Sequence, residues 1–344
     1  MASASLQNGS TSRTGERLRA GVFIYVIVLL ILATASTARA DDGNLTELRM
    51  DLQRLLAQTE ALRVYMGVPE STSSRLVIHN VSLYDLFFLA QALFGKVNKL
   101  SFEIIRLSEQ QPKMPQQPVQ AGDILAFIRP AKSTVEQILR EFNMNIEPPG
   151  KLMDFAATPD ALFQAMLDLN HQINALLERP YAPADVYGQV TLAVKYAARL
   201  LAAYPKARRI PVEPTHESAK QPGDVYLRLI RCLQLITKIY AAADLPAVTL
   251  KADNVDKAAI ASGDTYDLTC LVLARLDFLH LSIVREPFTR EAVFPGRRFP
   301  SDVFQRAGLL EKQLQQLEAL MTDHGSSPSL RNETPAIRAG HPLK

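Results

Sequence analysis

A short pattern that precedes several apolar repeats constrains the fold of this chain most: an aspartate with an aromatic residue two positions later. With proline or serine two positions before the aspartate, it occurs four times, as Asp185 and Tyr187, Asp224 and Tyr226, Asp264 and Tyr266, and Asp302 and Phe304. A carboxylate at a helix start accepts N–H groups of the first turn and favours the positive end of the helix dipole. Two similar helix starts occur upstream, at Ser82 and Asp123. The predicted helix caps are therefore Ser82, Asp123, Asp185, Asp224, Asp264 and Asp302.

Apolar residues behind these starts are spaced alternately by three and four, as from Tyr226 to Tyr240. This spacing is typical of helices packed in a bundle. The same period fills the segment 45–66, where it predicts a heptad helix of coiled-coil type that docks on its own chain or pairs with a second copy. The sequence therefore predicts an all-α fold.

The spacing of helix starts predicts an internal duplication. Ser82 and Asp185 are 103 residues apart, Asp123 and Asp224 are 101 apart, and Asp160 and Asp264 are 104 apart. We interpret this as a three-helix unit of about 102 residues that occurs twice, with one extra helix at each end. The result is two tandem four-helix bundles, or one continuous helical array. The predicted domains are 41–180 and 181–322, followed by a disordered tail at 323–344.

The predicted loops are long for a bundle. Segments of 15 to 20 residues separate helices of about 20, whereas antiparallel helix hairpins need far fewer residues. Such loops are long enough to run back along the bundle, so we expect some neighbouring helices to be parallel.

The N-terminal segment predicts export. Arginines at 13, 17 and 19 precede an apolar run that begins at Val22, and Ala38-Arg-Ala40 provides a small-x-small cleavage site. This is the pattern of a signal peptide over residues 1–40, with the mature chain periplasmic or secreted. The alternative is an uncleaved inner-membrane anchor at 22–38 that faces the periplasm.

Charge and cysteine content exclude some classes of protein. Residues 1–40 contain four Arg and one Glu and so account for the whole net charge of +3, which leaves residues 41–344 neutral. A neutral chain offers no basic footprint, so we expect no nucleic-acid partner. The only two cysteines, Cys232 and Cys270, are too few for a disulfide-built domain, although one bridge between helices stays open.

No motif for nucleophilic catalysis, phosphate binding or zinc hydrolysis occurs in the sequence, so we predict neither catalytic residues nor a cofactor. Carboxylate and histidine three residues apart, the spacing of di-metal bundles, occur at Asp168 and His171 and at Asp277 and His280. His171 falls off the apolar face of its helix and is interpreted as a surface residue. His280 lies on the apolar face; we interpret it as a core histidine oriented by Asp277, with a metal site at His280 and Asp277 as the alternative.

Aromatic residues just inside the helix starts have two interpretations. They pack against the preceding loops, or they line a groove that receives a peptide or a glycan. The positions concerned are Tyr187, Tyr226, Tyr266 and Phe304. The predicted function is an exported, non-enzymatic interaction or scaffold protein with a protein partner, such as a subunit of a cell-envelope assembly. The alternative is a small-ligand- or metal-binding module with a site around His280.

Overall fold

The computed structural model describes residues 43–70, 77–113, 119–144, 154–205, 207–251, 255–284 and 295–323. The described residues are almost entirely helical, which confirms the all-α prediction. Helix α1 covers 43–65. The others are α2 Leu83–Ile105, α3 Ala121–Glu141, α4 Pro159–Leu176, α5 Pro183–Ala202, α6 Pro222–Ala242, α7 Ser262–Ile283 and α8 Pro300–Asp323. The predicted signal segment 1–40, its anchor alternative at 22–38 and residues 324–344 of the predicted tail lie outside the described residues.

Five of the six predicted caps are displaced by three residues. Each helix begins before its aspartate, which occupies the third helical position and accepts a hydrogen bond from the backbone N–H of the true N-cap; in α6, for example, Gln221 donates to Asp224 at 2.8 Å. Ser82 is an N-cap as predicted. The corrected N-caps are Gln120, Ala182, Gln221 and Ala261, and the Phe299 N–H donates to Asp302 in the same way.

The helices α5 to α8 are parallel. Their first turns meet around one small cavity, which is lined by two residues from each helix. Contacts further along keep the same register: Lys220 N–H donates to Ser301 Oγ at the start of α6 and α8, and Arg231 pairs with Glu311 beyond it. Four parallel helices bring four positive dipole ends together, and the recurring aspartates place four carboxylates there.

The helices α1 to α4 also run parallel to one another. Asp160 at the start of α4 accepts a 2.9 Å hydrogen bond from the Val81 N–H before α2, and Glu103 near the end of α2 accepts one of 2.8 Å from Glu178 after α4. Helix α1 packs on α3 and α4 of its own chain through the ion pairs Glu47–Arg129 and Asp51–Lys132 and the hydrogen bond from Thr59 to Gln172. The apolar face of α1 is buried in these contacts.

Parallel neighbours require connections that return along the bundle, as the loop lengths predict. In the connection between α5 and α6, residues 207–221 run along α8 against the direction of that helix. Gln313 donates to the Arg209 carbonyl oxygen, Gln305 donates to the Pro214 carbonyl oxygen, and His216 lies 3.6 Å from Asp302. The link between α4 and α5, residues 177–182, is short and does not return.

The two sets of four helices therefore run in opposite directions. Asp85 near the start of α2 pairs with Arg275 of α7. Lys96, further along α2, pairs with Asp267, which comes before Arg275 in α7, so these two helices are antiparallel. Helix α7 packs against α5 and α6 of its own set and against α2 and α4 of the other. One continuous cluster of buried residues spans both sets, so the division into two domains near 180 stays a prediction.

The helix contacts correct the predicted duplication. A 102-residue unit equates α2 with α5 and α3 with α6. Since α2 packs on α3, such a unit requires α5 to pack on α6. Within the described residues, however, the helices packed against α5 are α7 and α8. The contacts instead match a four-helix unit in which α1 to α4 correspond to α5 to α8. The N-caps Ser82 and Gln221 are then 139 residues apart, and Gln120 and Ala261 are 141 apart.

Residue identities and burial support the longer unit. A shift of 141 residues from α4 to α8 aligns identical residues, namely Pro159 with Pro300, Phe163 with Phe304, Gln164 with Gln305, Leu169 with Leu310, Gln172 with Gln313 and Leu176 with Leu317. Buried positions coincide too, as for Ile173 and Leu314. The repeated unit is a parallel four-helix set.

Two short strands join the sets, and the sequence did not predict them. Val77–His79 (β1) precedes α2, and Thr249–Lys251 (β2) follows α6; they pair antiparallel with Ile78 opposite Leu250. No disulfide joins Cys232 to Cys270, and Cys232 is fully buried.

Candidate functional site

Helix α7 differs from its counterpart α3 by polar residues at buried positions. With the 141-residue shift, Thr265 and Thr269 stand where α3 has Ile124 and Ile128, and His280 stands where α3 has Leu139. A buried polar group costs free energy unless it finds a partner. These differences lie in α7, the helix that contacts both sets.

A buried ion pair joins α2 to α7. Lys96 is fully buried and donates to the Asp267 carboxylate, which also accepts a 3.1 Å hydrogen bond from Asn174 of α4. Burial raises the pKa of Asp267 above its ordinary value, and Lys96 and Asn174 oppose that shift. The three helices are thus tied together by one carboxylate.

A second buried pair lies at the other end of α2. Arg275 donates to Asp85 at 2.5 Å, both side chains are buried, and the Arg275 guanidinium lies 5.4 Å from the centre of the Tyr240 ring. The Asp85 oxygen Oδ2 also accepts from the Ser82 N–H and hydroxyl. The same carboxylate therefore caps α2 and binds α7.

A cavity of about 60 Å³ lies between these pairs, bounded by α2, α4 and α7. Its walls are apolar, with Phe88, Phe163, Leu167, Leu268 and Leu271 among the lining side chains. Four carboxylates also line it, those of Asp85, Asp168, Asp264 and Asp267. A water molecule needs about 10–15 Å³ of such space, so this cavity has room for roughly four to six.

His171 lies at the wall of this cavity, which corrects its interpretation as a surface residue. Its Nδ1 is 2.8 Å from Asp264 Oδ1, and its side chain is 17% exposed. Asp168, one turn earlier, accepts a 3.2 Å hydrogen bond from Gln164. The three-residue spacing of Asp168 and His171 was the available signal, but only the packing of α4 on α7 brings Asp264 to them.

The second carboxylate–histidine pair of the sequence, Asp277 and His280, is arranged differently from Asp168 and His171. His280 is buried as expected, with its ring edge-on to Tyr196 at 5.8 Å between centres. Asp277 accepts hydrogen bonds from the hydroxyls of Tyr84 and Tyr196, which hold it at the contact between α2, α5 and α7. Among the described residues, no group of three or more His, Cys, Asp or Glu side chains is placed to hold a metal ion.

A larger depression lies on the other side of α7. This groove, of about 800 Å³, has α7 as its floor and α2 and α5 as its walls. Tyr181 and Tyr266 stack at 4.2 Å between ring centres, and both line it together with Phe88 and Phe94. Known ligand sites occupy about 300–1,000 Å³ and combine apolar walls with a few polar groups.

The four aromatic residues at the predicted positions lie in different surroundings. Tyr266 lines the groove and Tyr226 lines the cavity. Tyr187 lies under the Arg298 guanidinium at 4.6 Å, and Phe304 lies under that of Arg228 at 3.6 Å. The last two fit the packing interpretation, whereas Tyr266 alone of the four lies in the groove.

None of the described helices has the length and apolar character needed to cross a membrane. Comparisons with protein-family models, with curated proteins and with solved structures find no match to this chain.

Proposed function

We propose that this protein is a non-enzymatic binding protein that receives an extended segment of a protein partner in the groove between α2 and α5. The observation that carries the proposal is the groove itself. Both walls pack on α7, and about 800 Å³ of space lies between them. A volume of this size exceeds what ordinary packing leaves open in a protein interior.

The walls of the groove suit the main chain of a peptide. Ala92 and Gly95 line it from α2, and Ala184 and Gly188 line it from α5. Spacings of three and four place each pair on one face of its helix, where small side chains let another backbone approach closely. The amides of Gln91 and Gln189 border the same space and carry both donors and acceptors, as peptide groups do.

The aromatic end of the groove supplies apolar contact. Tyr181 is stacked on Tyr266, and the Lys99 ammonium lies 4.6 Å from the centre of the Tyr181 ring. Burial raises the pKa of both tyrosines far above the ordinary value, so both hydroxyls stay protonated at physiological pH. A rigid aromatic pair of this kind is a common anchor for a partner side chain.

Gly95 gives a direct test of the groove. An added Cβ at this position meets nothing within 4 Å, so a larger side chain projects into the groove without displacing the core. Peptides are selected on the full chain from a phage-displayed library of random dodecapeptides, and their Kd is measured on the parent and on Gly95→Leu. Gly43→Leu is the matched control, because Gly43 also has open space around it but lies on α1.

We expect selected peptides to bind the parent and Gly43→Leu equally, and Gly95→Leu at least tenfold more weakly. Leucine is the better helix former, so Gly95→Leu keeps its fold. Selection of no binding peptide, or binding that Gly95→Leu leaves unchanged, contradicts the proposal.

We also propose that the protein is exported and acts in the cell envelope, on the basis of the basic, apolar and small-x-small regions before Asp41. Mass spectrometry of the chain from its own cells tests this proposal. A mature N-terminus at Asp41 supports it, and Met1 or Ala2 retained on membrane-bound protein contradicts cleavage.

A further inference from the structure

We propose that one side of the second helical set, where α8 meets α5, binds to the surface of an anionic lipid membrane. We call this surface the basic face. It consists of two segments that combine arginines with exposed apolar side chains, namely Arg208, Arg209, Ile210 and Val212, and Arg297, Arg298 and Phe299. None of these residues lines the groove between α2 and α5, so the proposal does not depend on a peptide bound there.

The two segments are distant in the sequence but lie along the same helix. Gln313 of α8 donates a hydrogen bond of 2.7 Å to the Arg209 carbonyl oxygen. The Phe299 N–H donates one of 2.8 Å to Asp302 at the start of α8. A helix rises about 1.5 Å per residue, so the segments are about 16 Å apart along α8.

Both segments also lie on the same flank of α8. The Gln313 amide that binds the Arg209 carbonyl oxygen also donates to the Val194 carbonyl oxygen of α5, at 3.3 Å. The Arg298 guanidinium lies 4.6 Å from the centre of the Tyr187 ring, which is likewise on α5. A single extended surface can therefore contact both segments.

The first argument for an anionic surface is unpaired positive charge. Within the part of the chain that the structure describes, none of the four arginines of the basic face forms an ion pair with a carboxylate. The nearby carboxylates have other partners. Glu213 lies 3.8 Å from Arg306, and Asp302 accepts the Phe299 N–H and lies 3.6 Å from His216.

The charge of the two halves of the chain points the same way. Residues 181–344 contain 21 Lys and Arg against 17 Asp and Glu, whereas residues 41–180 contain 13 against 17. The half that carries the basic face is thus positive, although the two halves together are neutral. Attraction to an anionic surface orients such a molecule with its positive half towards that surface.

The second argument is the apolar side chains beside these arginines. Ile210 is 53% exposed, Val212 is 63% exposed and Phe299 is 56% exposed. A membrane interface accepts both kinds of group, since cations pair with lipid phosphates and apolar side chains lie against the acyl chains. An acidic protein surface accepts the arginines alone. The combination favours lipid.

The chain contains no tryptophan, so one introduced tryptophan reports on its own position. Ile210→Trp and Phe299→Trp are made in the full chain, and their fluorescence is followed during titration with vesicles. The vesicles are phosphatidylcholine alone, or phosphatidylcholine and phosphatidylglycerol in equal parts. We expect the anionic vesicles to shift both emission spectra to shorter wavelength, because the indole leaves water, and to bind at least tenfold more tightly than the neutral ones. Equal binding of the two kinds of vesicle contradicts the charge argument.

Met50→Trp is the matched reporter, because Met50 is exposed on α1 of the other set. We expect both kinds of vesicle to leave its emission unchanged. If residues 22–38 insert into a vesicle, they bring all three reporters to it alike, so the comparison between reporters still tests the basic face. Equal shifts at Met50 and Ile210, or no shift at Ile210 and Phe299 with anionic vesicles, overturn the proposal.

Removal of charge tests whether the two segments act as one surface. In the Phe299→Trp chain, Arg208→Gln/Arg209→Gln is compared with Arg54→Gln/Arg140→Gln, which removes the same charge from exposed positions of the first set. Each arginine near an anionic surface strengthens binding about fivefold. We therefore expect the first pair of substitutions to weaken binding of anionic vesicles at least tenfold and the second to leave it unchanged. Equal losses show that net charge alone matters and contradict the proposal.

An acidic protein partner is the remaining outcome. Polyglutamate is titrated against the parent and against Arg208→Gln/Arg209→Gln. Binding of polyglutamate that these substitutions abolish, together with reporters that anionic vesicles leave unshifted, assigns the basic face to an acidic protein and overturns the lipid proposal.

Discussion

The backbone N–H of Gln221 donates a 2.8 Å hydrogen bond to the carboxylate of Asp224, three residues further along α6. The same bond, at 2.8 to 2.9 Å, recurs at Asp85, Asp123, Asp185, Asp264 and Asp302. In an antiparallel bundle these charges would be divided between two ends. Here each parallel set collects them at one end, where they oppose the positive ends of the helix dipoles.

We expect Asp224→Ala to lower the free energy of unfolding by about 0.5–2 kcal/mol, because it removes a capping interaction. Urea denaturation of the parent and the variant measures the change. Lys257 pairs with Asp224 at 2.6 Å from a largely exposed position. Lys257→Ala removes this pair but keeps the Gln221 bond, so it separates the two effects, and we expect it to cost less than about 1 kcal/mol. Coincident midpoints for the parent and Asp224→Ala would show that the carboxylate does not stabilise α6.

The effect of Asp224→Ala depends on pH. Burial alone raises the pKa of Asp224, but the Gln221 N–H and Lys257 lower it by more, so the folded-state pKa lies below the ordinary value. A carboxyl with a lowered pKa stabilises the fold above its unfolded-state pKa, about 3.9, and that contribution is lost as the pH falls through the folded-state value. The difference between parent and variant is therefore constant from pH 5 to 8 and shrinks below pH 4. A difference that grows in acid contradicts this assignment.

The glycines Gly263 and Gly122 occupy equivalent positions in α7 and α3 but different surroundings. An added Cβ on Gly263 would lie 2.7 Å from side-chain atoms of Asn174, whereas on Gly122 the nearest atom is 3.9 Å away. We expect Gly263→Ala to destabilise the protein by about 1–3 kcal/mol, since Asn174 must leave its hydrogen bond to Asp267. Gly122→Ala should be neutral or stabilising by up to about 1 kcal/mol. Urea midpoints compare the two, and equal shifts would contradict close packing at Gly263.

Much of the fold could be predicted from local pattern. The spacings of three and four fix the helices, and the length of connections such as 203–221 indicates parallel neighbours. The caps were misplaced because an aspartate serves equally at the N-cap and at the third helical position. Pro183, Pro222 and Pro300 were the overlooked signal, since proline favours the first helical position.

The repeat and the site could not be obtained in this way. Because the helices and loops have similar lengths, the helix starts are almost evenly spaced along the chain. A shift by three helices and a shift by four helices therefore both align these starts, and cap spacing alone cannot distinguish the two units. The buried pairs Lys96–Asp267 and Asp85–Arg275 join residues 171 and 190 positions apart. These pairs depend on how the two sets of helices pack against each other, and the three- and four-residue spacing within a single helix carries no information about that packing.

His280 corresponds to Leu139 in the repeat, and both side chains are 1% exposed. We expect His280→Leu to change the free energy of unfolding by less than about 1.5 kcal/mol, because the volume is nearly conserved and the fold accepts leucine at the equivalent site. The reciprocal Leu139→His should destabilise the protein by about 2 kcal/mol, since it buries a polar ring in an apolar core. Urea denaturation measures both variants. Stoichiometric transition metal in the purified parent that is lost in His280→Leu would instead identify His280 as a ligand.

The buried pair Lys96–Asp267 should be costly to break from one side only. Lys96→Met leaves the Asp267 carboxylate buried beside apolar side chains, and we expect a loss of about 3–5 kcal/mol at pH 7. Replacement of both partners in Lys96→Met/Asp267→Leu should recover most of that loss, because no charge is then left unpaired. Urea denaturation of the parent, both single variants and the double variant gives the coupling energy.

The pH dependence of Lys96→Met distinguishes this explanation from a loss of packing. Burial raises the pKa of Asp267, and the variant lacks the cation that opposes the shift. A carboxyl with a raised pKa destabilises the fold only where it must ionise. The cost of Lys96→Met should therefore be small near pH 4, below which Asp267 is protonated in both the folded and the unfolded state. It should grow as the pH rises from the unfolded-state pKa, about 3.9, to the raised folded-state pKa, and should be constant above that value. A cost that is the same at pH 4 and pH 8 would show that the methylene chain of Lys96, and not its charge, holds α2 to α7.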